Sequence, residues 1–261
     1  MSQIAKRNKK IAMMTTAIVC VIAILMIALG TFIISIQRKN NFIAAYGQAI
    51  YDRFGLAEKG AYIYFGAYEQ DNDISNGKED IAWLVLEKEN NKILVISDKA
   101  LDCQSYNTSK VNVTWENCSL REWLNGTFLH AAFSAEEQAM IVDTNVLPGK
   151  NPEYSTDPGN TTMDKVFLLS IDEINKYFDY LGSGKARKCV PTAYAIANGV
   201  SPNWNYTKDG EVTCWWWLRS PGEHQNRAAN VDCDGMINYD GFFAIADGDG
   251  VRPALWINLD S

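Results

Sequence analysis

The sequence predicts an α+β domain built on an antiparallel sheet core and preceded by one transmembrane helix. Three observations carry this. No charged residue interrupts the chain from Ile11 to Ile36. Beyond it, Ser-x-x-Glu patterns followed by helically spaced apolar residues alternate with short β-type runs. The last third pairs an aromatic segment, Cys214-Trp215-Trp216-Trp217-Leu218-Arg219-Ser220-Pro221-Gly222, with Val251-Arg252-Pro253-Ala254-Leu255 across an Asn-, Asp- and Gly-rich stretch.

The apolar run over 11–36 is long enough to cross a hydrocarbon core as a tilted helix, and it is apolar all round rather than striped. Ile43-Ala44-Ala45 offers small residues for signal cleavage. The apolar regions of cleavable signals are shorter, about 7–15 residues, so an uncleaved signal-anchor is expected. Lys6, Arg7, Lys9 and Lys10 precede the run and only Arg38 and Lys39 follow it closely. That asymmetry places residues 1–10 in the cytoplasm and the large domain outside the cell membrane. The total charge of −7 divides into +6 over residues 1–59 and −13 over 60–261. An acidic outer domain argues against nucleic acid and is compatible with cations or neutral, hydroxyl-rich ligands.

Residues 37–59 read as a helical stalk, with Phe42, Ile43, Tyr46, Ile50 and Phe54 near helical spacing, and the domain is expected over 60–261. Tyr62–Phe65, Ile81–Leu86 and Ile93–Ile96 have strand composition, the last two joined at Glu89-Asn90-Asn91 as a hairpin. Helices are expected after Ser119-x-x-Glu122, Ser134-x-x-Glu137 and Ser170-x-x-Glu173, where the serine caps a free N–H and the glutamate reaches back. Leu147–Met163 is loop-like, Val166–Leu169 a buried strand, and Pro191–Ala197 a short helix ended by Asn198-Gly199. From Cys214 onward, Asp234-Gly235, Asp240-Gly241 and Asp249-Gly250 are turn signals between strands. Alternation puts Trp215, Trp217 and Arg219 on one face and Trp216 and Leu218 on the other, so this strand belongs mid-domain.

Several segments together resemble a bacterial family, common in Firmicutes, catalogued as domain of unknown function 6273. They include Ala100-Leu101-Asp102-Cys103, Tyr106-Asn107, Val113-Thr114-Trp115-Glu116, Leu120-Arg121-x-Trp123-Leu124-Asn125, Asp164 to Ser170, Pro191-Thr192-Ala193-Tyr194-Ala195 and both closing motifs. The resemblance implies no activity. The final third also resembles the C-type-lectin-like fold shared by formylglycine-generating enzymes and retroelement-diversified receptors. Trp217-Leu218-Arg219-Ser220, the 223–250 segment and Val251-Arg252-Pro253 stand where those proteins carry an aromatic strand, a polar loop and a closing strand. This implies a C-type-lectin-like mixed α/β domain. It also suggests a remote oxidase, whose copper-holding cysteines would be sought at Cys214 and Cys233, although neither matches that motif's position.

Candidate ligand contacts are Trp215, Arg219, Asn226, Asn230, Asn238, Tyr239 and Arg252, mounted in or beside the 223–250 loops. The ligand classes they suit are a glycan, a peptide or a surface protein. Asp232, Asp234, Asp240, Asp247 and Asp249 supply hard oxygens for calcium, yet their spacing does not fit an EF-hand and Asp-Gly pairs also make plain turns. Cys20 falls in the anchor, leaving an odd five cysteines outside. Closeness in sequence suggests Cys103–Cys118 and, less directly, Cys189–Cys214 as disulfides. With only His130 and His224 present, a zinc site is not expected, and no Ser-His-Asp elbow motif occurs. The expected role is ligand binding, with an oxidase or a structural module of an envelope complex as alternatives.

Overall fold

The computed structural model describes residues 57–179 and 184–259, together with Met26, Leu29, Gly30 and Ile33. Two compact units divide the chain after Tyr46. In the first, Met26, Leu29, Gly30 and Ile33 are helical and the three larger side chains are exposed. The rest of the expected transmembrane helix, and the stalk up to residue 56, lie outside the described residues. No described helix is long and apolar enough to cross a membrane. At 57–59, the end of the expected stalk, the chain is irregular and closes a turn through Ala61 N–H to Glu58 O at 2.9 Å.

The second unit is α+β with antiparallel sheets, as the patterning predicts. Its first sheet joins β1 (Tyr62–Tyr68), β2 (Glu79–Glu89), β3 (Lys92–Ser97) and, from the far end of the chain, β13 (Ala254–Asn258), in that order. Along β1, Tyr62 and Tyr64 face solvent while Ile63 and Phe65 face the core, the period-two pattern of a half-buried strand. The β2–β3 hairpin turns on Asn90 and Asn91, both at positive φ, which matches the twist of its strands. Gly66 sits at a bulge with φ +69°, where an added Cβ would lie 2.5 Å from the Phe133 ring.

The second sheet contains β4 (Asp102–Cys103), β9 (Trp216–Pro221), β10 (Arg227–Val231), β11 (Ile237–Phe243) and β12 (Gly250–Val251), ordered β11-β10-β9-β12-β4. Central β9 is buried at every position. Two small ribbons stand apart: β5 (Thr144–Val146) with β6 (Thr162–Asp164), and β7 (Asn203–Lys208) with β8 (Glu211–Thr213). The closing motif is therefore two strands in different sheets, not one. Arg252 and Pro253 carry the chain across between them. Proline, having no N–H to donate, suits a residue that leaves one ladder before joining the next.

Helices cover these sheets. They are α1 (Ser119–Trp123), continued by a wider turn over Leu124–Phe128, then α2 (Leu129–Ala132), α3 (Ala135–Met140), α4 (Ile171–Phe178), α5 (Gly184–Arg187) and α6 (Ala193–Ala197). The capping boxes at Ser134/Glu137 and Ser170/Glu173 form with both bonds. At α1 the cap is instead Cys118, whose Sγ accepts from Arg121 N, because Ser119 Oγ is engaged by Thr108 N–H. Val166–Leu169 is buried but makes no strand: Phe167 alone pairs, exchanging two hydrogen bonds with Ala254 at 2.9 and 2.8 Å.

Two charge-centred clamps fix the helices. Glu173, already in its capping box, receives both Nη1 and Nη2 of Arg219, whose Nη1 and Nε also donate to Leu168 O and Leu147 O. Buried Asp164 accepts from Trp115 Nε1 at 3.0 Å, Arg121 Nε at 2.6 Å and Thr162 Oγ1 at 2.5 Å. Removing one partner of such a pair strands the other polar groups. Arg219→Ala is therefore expected to lower stability by about 3 kcal/mol or more in chemical denaturation. An unchanged midpoint would show that the clamp does not hold α4.

Candidate functional site

The tryptophan segment is scaffold. Trp216 and Trp217 are fully buried, their Nε1 donors satisfied by Arg187 O and Gln104 O, both at 3.0 Å. Trp215 lies just before β9, half-buried, outside the strand that alternation assigns it. Arg219 and Arg252 are buried too and face no open cleft. Arg252 donates from Nε to Ser97 O at 2.8 Å and stacks over Trp216 and Phe178, with ring centroids 4.9 and 5.5 Å away.

Much of the polar 223–250 segment also works inward. Asn230 is buried and donates to Asp249 Oδ2 at 2.6 Å. Asn238 Oδ1 accepts from Gly241 N–H, and the backbone carbonyls of Asn226 and Tyr239 accept from Ala244 and Asn151. The five aspartates do not gather as a calcium site. Asp240 receives the Tyr154 hydroxyl at 2.5 Å, Asp234 caps its own turn at Met236 N, Asp249 is held by Asn230, and Asp247 points outward. Asp232 Oδ1 is buried without a hydrogen-bond partner but belongs to no convergent set of three carboxylates among the described residues. Among the described residues the carboxylates that converge are others, Glu69, Asp71 and Glu79. Of the three expected Asp-Gly turns only Asp234-Gly235 is one: Asp240-Gly241 lies within β11, where Gly241 at positive φ marks a register shift, and Gly250 opens β12.

All five described cysteines are free thiols and buried, so neither suggested disulfide is formed. Cys189 and Cys214 do meet, across an antiparallel bridge in which Cys214 N donates to Cys189 O at 2.9 Å. Burial pushes the Cys214 thiol well up, and the adjoining Cys189 adds to the shift. Cys233 is pushed up to about 12, first by burial and then by Asp232. Neither Cys214 nor Cys233, the pair sought for copper, belongs to a convergent set of three metal-ligating groups. His130 and His224 are exposed.

The geometry that faces solvent lies elsewhere. A cleft of about 560 Å³ opens between the β7–β8 ribbon, the start of α6 and the β1–β2 loop. Trp204 and Ile196 supply its apolar wall; Asp71, Lys99, Thr192 and Glu211 are among its polar groups. Trp204 is 78% exposed, held on a ribbon whose Asp209-Gly210 turn has both φ angles positive. Lys99 Nζ pairs with Glu211 Oε1 at 3.1 Å as an exposed ion pair, and Thr192 Oγ1 caps α6 by accepting from Ala195 N–H at 3.0 Å. Sequence reading passes over Trp204 because an isolated tryptophan among Asn, Tyr and Thr shows no periodicity. Its polar neighbours are the available signal.

The β1–β2 loop borders this cleft through Gln70 and Asp71. Glu79 Oε2 accepts from the backbone N–H groups of Gln70 and Asp71, at 2.7 and 3.3 Å. Asp71 accepts from Asp73 N–H and from Asn76 Nδ2. Glu69 is only 8% exposed and its Oε1 has no hydrogen-bond partner.

These features define an α+β domain of two main sheets, antiparallel except where β12 runs parallel to β9, with an aromatic-walled surface cleft beside an acidic loop. Residues 90–259 match the family described as Domain of unknown function (DUF6273), and the chain belongs to that family. No curated protein and no solved structure matches the chain.

The 223–250 carboxylates make one pH-dependent prediction. Burial raises Asp249 to about 6, partly offset by Asn230, and raises Asp232 to about 6 with help from Asp234. The folded chain thus binds more protons than the unfolded chain between the ordinary value of 3.8 and about 6, and stability falls as pH rises through that window. Asp249→Asn keeps an acceptor for Asn230 while removing the charge. Denaturation at pH 8 is expected to show a gain of about 1–3 kcal/mol, with a flatter slope below pH 6. A variant no more stable than the parent at pH 8 would contradict this origin of the shift.

Proposed function

We propose that the chain is a single-pass membrane protein, N-terminus in the cytoplasm, whose outer domain binds a hydroxyl-rich glycan of the envelope in the Trp204 cleft. The carrying observation is the exposure of Trp204 on a cleft whose lining includes the carboxylates of Asp71 and Glu211 and the Lys99 ammonium. A large ring left in water stabilises nothing in the fold, whereas it fits the apolar C–H face of a sugar. The surrounding acceptors and donors suit hydroxyl groups, and a cleft with a few convergent polar groups is the usual form of a small-ligand site. The acidic outer half and the basic flank of the 11–36 run support the topology. So do the exposed helical Met26, Leu29 and Ile33. A C-type-lectin-like organisation of the closing sheet is part of the same reading.

One observation favours a second reading, a peptide or surface protein bound at residues 223–250. Edge strand β11 and the residues after it expose Phe242, Phe243 and Ile245. An unpaired edge with apolar side chains suits strand addition.

Pull-down on insoluble cell-wall glycan and titration with soluble oligosaccharides would test both. Trp204→Ala is expected to weaken binding about tenfold or more while leaving the denaturation midpoint unchanged. Retained binding by this variant, together with loss in Phe242→Ala or Phe243→Ala, would move the site to the β11 edge. For topology, a reporter fused after Ser261 is expected to be active only outside the cytoplasm; activity inside would reverse the orientation.

A further inference from the structure

We propose that Glu69, Asp71 and Glu79 form a calcium site at the base of the β1–β2 loop. One ligand oxygen from each lies within 4.8 Å of the other two. Convergence of acidic groups is common on surfaces and proves little alone. Here one of the three is not a surface group. Glu69 is more than nine-tenths buried, and its sealed Oε1 is left without a hydrogen-bond partner. Buried carboxylate oxygens are normally satisfied, so this one points to a missing partner that is neither backbone nor side chain. The Asn72 backbone N–H donates to Glu69, but the side chains beside it, Asp71 and Glu79, are both acidic, so the oxygen left over would be satisfied by a cation.

The frame is rigid where the burial is greatest. Tyr68 pairs with Glu79 at the last rung of the β1–β2 ladder, so Glu69 and Glu79 project from adjoining strand ends. Asp71 comes from the loop and is exposed, leaving one side of the cluster open to water. Asn76 Nδ2 and Asp73 N–H each take one oxygen of Asp71, and both N–H groups on Glu79 fall on Oε2, so lone pairs remain on the two Asp71 oxygens and on Glu79 Oε1. Three carboxylates, some bidentate, with water completing the shell, match the six to eight irregular oxygen contacts calcium accepts. Magnesium requires near-octahedral geometry, and zinc favours nitrogen or sulfur, which this cluster lacks. The site lies outside the residues matched to the family, 90–259, and apart from the aspartates of 223–250. Asp71 also borders the cleft, so a bound ion would stand beside the Trp204 wall.

The test uses the full chain in detergent, stripped with chelator and titrated with calcium chloride by calorimetry, with terbium luminescence as a second readout. One site per chain is expected, with a dissociation constant on the order of 10⁻⁴–10⁻³ M, the range of extracellular modules. Glu69→Gln and Asp71→Asn should each weaken it about tenfold or more, while Asp240→Asn leaves it unchanged. Asp71 is exposed, so its variant keeps the test open if Glu69→Gln folds poorly. Calcium should raise the melting temperature of the parent and not that of Asp71→Asn. No saturable calcium binding, unchanged affinity in a folded Asp71→Asn, or preference for magnesium would overturn the proposal. Glycan is absent from this titration and Trp204→Ala should bind calcium normally, so the two readings can fail separately.

Discussion

The domain hangs on the crossing at Arg252 and Pro253. Within two residues the chain leaves the ladder of β12 and enters that of β13, joining two sheets that it links only once more among neighbouring described strands, between Ser97 of β3 and Asp102 of β4. The crossing carries a guanidinium with no exposed surface, which would be costly in an apolar interior without compensation. It is placed over the faces of Trp216 and Phe178 and bonded to Ser97 O, while Ser97 N–H donates to Pro253 O at 2.9 Å. Arg252 Nη1 and Nη2 make no hydrogen bond, so ring contact supplies much of the compensation. Central β9 supplies Trp216 and edge contacts supply the rest: Ile141 and Phe167 bridge to β13 and dock the helical segments on it. The two sequence motifs at 214–222 and 251–255 are thus opposite sides of one joint.

That joint explains what could be read from the sequence. The strands at 62–65, 81–86 and 93–96 follow their β-type apolar composition, and two of three serine–glutamate boxes cap helices because both groups are local. The burial of Trp216, Trp217 and Leu218 also follows from local pattern, since nothing else in the chain could shield so much ring surface. What alternation cannot reveal is a change of partner sheet in mid-segment, and so the closing motif reads as one strand. Nor does Ser119 show that Thr108 N–H will take its hydroxyl and leave capping to Cys118. Motifs scattered in sequence acquire a reason in space. Trp115, Arg121 and Asn125 converge on Asp164, whose carboxylate is buried and bonded by all three.

The site was less legible. Asn and Asp between two strands suggest an outward-facing recognition loop, yet Asn230 and Asp249 are sealed together and several neighbours only close turns. Polar residues that satisfy backbone groups and those that meet ligand have the same composition; only burial separates them. Trp204 presents the converse case, an aromatic residue that the fold leaves in water. The cleft it walls is assembled from four segments, near residues 71, 99, 192 and 204–212, and no spacing rule connects them. The functional chemistry proposed for this domain accordingly lies at the junction of its first loop and the β7–β8 ribbon rather than in its last loops.

Hydrogen–deuterium exchange of the full chain, with and without cell-wall oligosaccharide and calcium, tests that relocation most directly. Protection on addition should concentrate in residues 69–79 and 190–212, with 223–250 unchanged. Protection confined to 236–247, around the exposed Phe242 and Phe243, would contradict the account and return recognition to the closing loops.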